Sequence, residues 1–219
     1  VTVRVNKDSG EIFLYGIVGD SWGEDSFTAG DVIDALGKLG GKRATVRVNS
    51  PGGIADEGIA IYNALKRYAG GCDTVVDAIA ASAASVIALA GDTRTTSAGG
   101  RWMIHRALNI AIGNANDMRK NADVLETYDK SLVEIYGKYI QKPADEIMQL
   151  LDAETWYTSE DSVTAGLSTK LGDTVAAEPM VAAWFKNAPA NLLQKPTPWI
   201  KAHTAQLAGI KAKAMQCKT

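Results

Sequence analysis

The chain is poor in several of the groups that chemistry most often uses. Its 219 residues include two histidines, His105 and His203, and two cysteines, Cys72 and Cys217. The cysteines have neither metal-ligand spacing nor the regular pattern of a disulfide framework, so a reducing, cytosolic setting is expected. No apolar run reaches the roughly 18 residues a spanning helix needs, so no membrane segment is expected, and no secretory signal pattern is read. The net charge is only −2, which leaves no basic field to draw in nucleic acid. No nucleotide-binding loop or metal-ligand cluster is read, so neither a cofactor nor a metal is expected. With 46% apolar and 22% charged residues, the composition is that of an ordinary globular protein and argues against disorder.

What the chain does have is a repeating order of strands and helices. Residues 1–5 and 11–18 read as a hairpin around the turn Lys7-Asp8-Ser9-Gly10. Thr28 and Asp31 have capping-box spacing and open a helix that ends at Gly40-Gly41. Residues 45–49 form a strand and 54–68 a helix; residues 74–80 form a strand and 82–90 a helix. Two short strands follow at 93–97 and 101–105. This alternation predicts a mostly parallel sheet covered by helices. Residues 114–140 carry Met118, Ala122, Leu125, Tyr128, Leu132, Ile135 and Tyr139 at steps of three and four. That spacing predicts an amphipathic helix of about 40 Å, long enough to project and pack on a partner. Pro143 starts a further short helix, and Thr158 caps another that ends at Gly166. After Asp173 the composition shifts to alanine and proline. Residues 1–175 are therefore read as the main domain, and 176–219 as an arm or tail with a possible basic terminal helix.

Three stretches could carry chemistry. Ser50-Pro51-Gly52-Gly53 lies between a strand and a helix, where glycines let backbone N–H groups face a ligand. Taken alone, it is an ordinary turn. Residues 77–91 run from an apolar strand into a helix of small residues, with Ser82 at the junction and Ser85 one turn further in. A serine at a helix N-terminus has free N–H groups and a favourable dipole beside it, as an acyl-transfer nucleophile requires. Taken alone, this stretch is a tightly packed core helix. His105 ends the strand Trp102-Met103-Ile104-His105 and is the one histidine of the main domain that could serve as a base.

In that order and spacing, the three stretches resemble the ClpP/crotonase-type serine peptidases. Asn49-Ser50-Pro51-Gly52-Gly53 is similar to the oxyanion-loop motif of ClpP, Ala80-Ala81-Ser82 to its nucleophile motif and Met103-Ile104-His105 to its histidine motif. The wording of residues 81–92 and 152–158 is nearer to the ClpP-like head-maturation (prohead) proteases of tailed phages. The resemblance covers about residues 1–175. It implies an α/β fold, a ClpP/crotonase-like repeated β-β-α spiral with a protruding long helix. It also implies a catalytic set of Ser82, His105 and an acid. Ser82 is preferred to Ser85 because it lies nine residues before Gly91, as in the family pattern; Ser85 is assigned to packing. Glu154 falls where the family has aspartate, and Asp152 is the competing acid. Gly52 and Ala83 fall at the family's oxyanion-hole positions, and Gly53 is assigned to substrate binding.

The resemblance further implies a homo-oligomeric ring acting on polypeptide. In the phage reading, the chain would cut scaffold and capsid protein within an assembling prohead. Two alternatives remain open. One is a bacterial ClpP paralogue working in the cytoplasm with an unfoldase. The other is a crotonase-type acyl-CoA enzyme, which would not need Ser82 and His105 in register.

Overall fold

The computed structural model describes residues 3–19, 25–175 and 185–189. The chain opens with β1 (Val3–Asn6) and β2 (Glu11–Tyr15), paired antiparallel as the turn chemistry at Gly10 predicts. The expected second strand does not run unbroken to Val18. Gly16 turns it with φ 130, and β3 (Ile17–Val18) leaves to pair with β4 (Ser26–Phe27) in a small separate sheet. Thr28 then caps α1 (Ala29–Lys38) through a complete capping box with Asp31.

The main sheet is built by repetition. β5 (Ala44–Ser50), α2 (Ala55–Lys66), β6 (Cys72–Ala81) and α3 (Ala83–Ala88) follow in turn, then β7 (Arg94–Ser97) and β8 (Arg101–Ile104). The continuous strand order is β1-β2-β5-β6-β7, closed at the far edge by β10 (Lys170–Gly172). All pairings from β2 through β10 along this path are parallel. The expected α/β architecture, with helices packed on a mostly parallel sheet, is the one observed.

The positioning of the site depends on a fork in β6. Its first half, Thr74 to Val76, pairs with β7, whereas its second half, Ile79 to Ala81, pairs with β8. On the other side, the register with β5 shifts between Val48 and Ser50. The sequence changes at the same place. The first half of β6 alternates between buried and partly buried, and everything from Val76 to Ala81 is buried. Small side chains at Ala78, Ala80 and Ala81 permit that coverage on both faces. Asp77, at the fork, is held by the Arg47 guanidinium and by the Tyr15 hydroxyl, which donates at 2.6 Å.

The six residues of α3 are all buried. Gly58 of α2 lies so close that a Cβ there would meet the Ala83 Cβ at 2.9 Å. The core runs from Ile12 and Leu14 through Val46 and Val48 to Ile87, Leu89 and Trp102. α4 (Ala115–Gly137) is capped by a box between Asn114 and Asp117. Its buried residues, Asp129, Leu132, Ile135 and Tyr136, all lie in its second half. Met118 and Val124 are exposed, as are Leu108, Ile110 and Ile112 in the segment before the helix. The projecting half of the long helix was legible in its sequence. α5 (Ala144–Asp152) begins after Pro143, and α6 (Ser159–Thr164) after Thr158. Between them β9 (Thr155–Tyr157) pairs antiparallel with β8, a strand that the sequence pattern did not announce. The terminal helix expected in the tail lies outside the described residues.

Candidate active site

Ser82 and His105 are brought together by strand register. β6 and β8 run parallel with Ala81 opposite Met103, so both strands end at the same level of the sheet. The Ser82 N–H donates to the Met103 carbonyl at 2.9 Å, which fixes that level. His105 follows at the end of β8, and its Nε2 lies 2.8 Å from the Ser82 hydroxyl. Ser82 has φ 54 and ψ −127, an uncommon conformation for a residue with a Cβ. The sharp strand-to-helix turn sets the hydroxyl on the floor of an open cleft and makes the Ala83 N–H the first of the helix. Ser85 is wholly buried. Its hydroxyl lies 2.6 Å from both the Ser82 carbonyl and the Tyr136 hydroxyl, so it braces the turn from beneath.

The cleft has a volume of about 570 Å³. Ser82 and His105 face it together with Ile54, Val86, Leu125 and Tyr136. Its walls are mainly apolar, and Asp56, Arg106, Asn109 and Tyr128 add polar groups away from the Ser82–His105 pair.

The Ser50-Pro51-Gly52-Gly53 turn packs directly on this junction. A Cβ on Gly52 would meet the Ala81 carbonyl at 2.6 Å and the Ala83 nitrogen at 2.9 Å. Gly52 has φ 92, and its N–H donates to the Ser50 hydroxyl at 3.1 Å. The Gly52 N–H is thus already committed. Gly53 borders the cleft and forms an isolated bridge with Val18. Gly52 thus packs against the Ser82–Ala83 junction, and Gly53 and Ala83 both border the cleft.

The two candidate acids differ sharply. Asp152 is half exposed and forms a two-pronged ion pair with Arg106, at 2.5 and 2.9 Å. Glu154 is buried and has φ 49. Its carboxylate accepts from the Lys186 N–H at 2.9 Å, the Asn187 N–H at 2.6 Å and the Trp156 indole N–H at 3.3 Å. It makes no hydrogen bond to His105. Its charge nevertheless reaches the ring. Burial pushes the His105 pKa below 6.5, and the negative charges of Glu154 and Asp129 oppose that shift.

Sequence reasoning missed three residues around His105. Asp129 of α4 is buried, and its carboxylate accepts from the Ala107 N–H at 2.9 Å and from Arg106 at 3.1 Å. Its signal was available, since it lies four residues after Leu125 and three before Leu132, on the apolar face of the helix. Trp156 and Phe185 stand edge to face, with ring centroids 5.5 Å apart, and Phe185 stands edge to face with His105 at 6.1 Å. Nothing local in the sequence places Phe185 there, because it lies 80 residues beyond His105. His203 lies outside the described residues.

A serine on a strained strand-to-helix turn, in contact with a histidine and at the N-terminus of a helix, has the geometry of a serine hydrolase built on an α/β sheet. Comparison with known proteins narrows that class. Residues 10–175 match the Clp protease family. The chain is 31% identical over 172 residues to ATP-dependent Clp protease proteolytic subunit 1 of Protochlamydia amoebophila, which covers 75% of this chain and 81% of that protein. It is also 31% identical over 135 residues to the ATP-dependent Clp protease proteolytic subunit of Porphyromonas gingivalis, covering 60% of each. A solved ClpP1 point mutant from Listeria monocytogenes shares the fold, with a TM-score of 0.67 at 19% identity over 77% of this chain and 94% of that one. The chain belongs to the Clp protease family and is a serine-type peptidase of ClpP-like fold. The relatives named here are Clp proteolytic subunits; the head-maturation subtype expected from residues 81–92 and 152–158 finds no support among them.

Proposed function

We propose that this chain is the proteolytic subunit of a Clp-type peptidase, cutting polypeptide through an acyl-enzyme on Ser82. The observation that carries the reading is the 2.8 Å contact between the Ser82 hydroxyl and His105 Nε2 on the floor of an apolar cleft. His105 is held neutral at pH 7 by burial, so it is in the form that accepts a proton. As Ser82 attacks the carbonyl carbon, its proton passes to Nε2. The Ala83 N–H and a glycine N–H of the Ser50-Pro51-Gly52-Gly53 turn donate to the oxyanion that forms, a contribution of about 3 kcal/mol per donor in other proteases. The imidazolium then gives its proton to the leaving amine, and water releases the acyl group by the reverse sequence. Glu154 favours the imidazolium through its charge. The apolar cleft walls suit a large apolar side chain next to the scissile bond.

The named relatives are proteolytic subunits of ATP-dependent proteases. The corresponding reading for this chain is a ring of identical subunits in the cytoplasm, supplied with polypeptide by a separate ATP-driven unfoldase. This reading takes precedence over cleavage of phage scaffold and capsid protein. A crotonase-type acyl-CoA enzyme has no need of the Ser82–His105 contact. A fluorophosphonate probe followed by peptide mass spectrometry tests the proposal. Labelling at Ser82 that disappears in Ser82→Ala, together with loss of casein cleavage, is the expected result. Absence of label at Ser82, or cleavage that survives the substitution, would overturn it.

A further inference from the structure

The short segment from Phe185 to Pro189 touches the reaction centre from outside the region matched by the family. The family match ends at residue 175, and the contacts begin ten residues later. Phe185 is buried in a small cluster with Ile79, Ala81 and Met103, and Trp156 and Ala188 pack against it. Residues 79, 81 and 103 share one face of β6 and β8, whereas Ala80, Trp102 and Ile104 point into the main core. Phe185 thus covers the face of the fork that the helices leave open, directly beneath His105. The next two residues of the segment make polar contacts. The Lys186 and Asn187 N–H groups each donate to one oxygen of Glu154, and the Asn187 side-chain amide donates to the Ala153 carbonyl at 3.0 Å. A buried carboxylate would be costly without such donors.

We infer that residues 185–189 form a positioning strap for the reaction centre: the Lys186 and Asn187 N–H groups fix the Glu154 carboxylate beside His105, and the Phe185 ring seals the imidazole from water. The inference rests on the Ser82–His105 reading above. Phe185 and Lys186 are positioning residues, since they act through His105 and Glu154 and do not line the cleft. The charged groups facing His105 come from three elements: Glu154 after α5, Asp129 on α4 and Lys186 on the strap. Arg106, next in sequence, is paired with Asp129 and Asp152. Removing the Phe185 ring hydrates the imidazole, and its midpoint then moves up toward the ordinary histidine value.

The test uses the full chain carrying His203→Ala, so that one histidine remains. The His105 imidazole is titrated by NMR, and fluorophosphonate labelling of Ser82 is timed across pH. Phe185→Ala is expected to raise the His105 midpoint by roughly 0.5–1 pH unit. The acid limb of the labelling rate should move with it. Phe185→Leu, which keeps the apolar cover, is expected to restore most of the shift. Lys186→Pro deletes one donor to Glu154 and is expected to slow labelling about tenfold more than Lys186→Ala, which keeps it. If the parent labels at Ser82 and these variants share its rates and midpoint, the strap has no positioning role and the protease reading stands. If the variants label faster, the segment is a brake and the inference is overturned. If the parent itself fails to label, the protease reading falls, and the imidazole titration still decides whether the strap seals His105.

Discussion

Ser82 and Glu154 are the two non-glycine residues with positive φ among the described residues, and both stand beside His105. They are held there in opposite ways. Ser82 is fixed by its own strand and helix: its N–H is bonded to β8, its carbonyl to Ser85, and its turn is packed under Gly52. Glu154 sits in a turn between α5 and β9, and its carboxylate is fixed by residues more than thirty positions downstream. The Ser82 side of the site is a local product of one strand–helix junction; the Glu154 side is assembled from distant pieces of chain. A strained backbone of this kind costs about 1–3 kcal/mol and persists only where the surroundings over-determine it. For Ser82 those surroundings are the protein core, and for Glu154 they include a short strap.

The largest effects are expected on the nucleophile side. Ser82→Ala should lower kcat by about a million-fold, as removal of the nucleophile does in other serine proteases, while the thermal unfolding midpoint stays within a few degrees. A peptidase assay with a fluorogenic peptide measures it. Glu154→Gln should cost far less, on the order of a hundredfold, because Glu154 acts on His105 through its charge and not through a hydrogen bond. Equal costs for the two substitutions would mean that Glu154 is as integral to the reaction as Ser82.

The same contrast explains what could be read from the sequence. Ser50-Pro51-Gly52-Gly53, Ala80-Ala81-Ser82 and Met103-Ile104-His105 are each contiguous and each sits at the end of a strand, so their resemblance in order to a known family marked them, although each alone is ordinary. The parallel sheet, the capped helices at Thr28 and Thr158 and the projecting α4 were legible as well, since caps and periodicity are local. Phe185 was not legible, because its place depends on a tertiary contact with Met103 and His105 that no periodicity encodes. Nor was β9, whose three residues are too few to show alternation and are made a strand by pairing with β8. The bond from the Gly52 N–H to the Ser50 hydroxyl was not legible either, because it depends on how the turn closes.

Beneath the nucleophile, Ser85 offers a test of intermediate size. Ser85→Ala removes the acceptor or donor that satisfies the Tyr136 hydroxyl in a fully buried place. A stability loss of about 1–3 kcal/mol is expected from denaturant unfolding, with Ser82 still labelled by a fluorophosphonate. Loss of labelling with unchanged stability would instead make Ser85 the reacting serine.

The pH response follows from the direction of the His105 shift. Its folded-state pKa lies below the ordinary 6.5 because burial disfavours the imidazolium. Between the folded and unfolded values, the unfolded chain binds more protons, so stability rises with pH there. His105 therefore contributes stability that is fully present above pH 6.5 and lost as pH falls through its folded value. Activity should share that acid limb, since the neutral ring is the base. A kcat/KM profile with its acid midpoint above 6.5 would show that the Glu154 and Asp129 charges outweigh burial.

The smallest effect is expected at Asp152, the acid that sequence spacing could not separate from Glu154. Its carboxylate is half exposed and faces Arg106, which keeps a second, buried partner in Asp129 when Asp152 is neutralised. An exposed ion pair is worth about 0–1 kcal/mol, and the Arg106–Asp129 contact continues to hold the segment after His105 to α4. Asp152→Asn should therefore change stability by less than about 1 kcal/mol and kcat/KM by less than about threefold. The paired measurement with Glu154→Gln is the informative one. If Asp152→Asn proves the more damaging of the two, the acid side of the site works through Arg106 and Asp129, and the strap-held Glu154 is only a structural carboxylate.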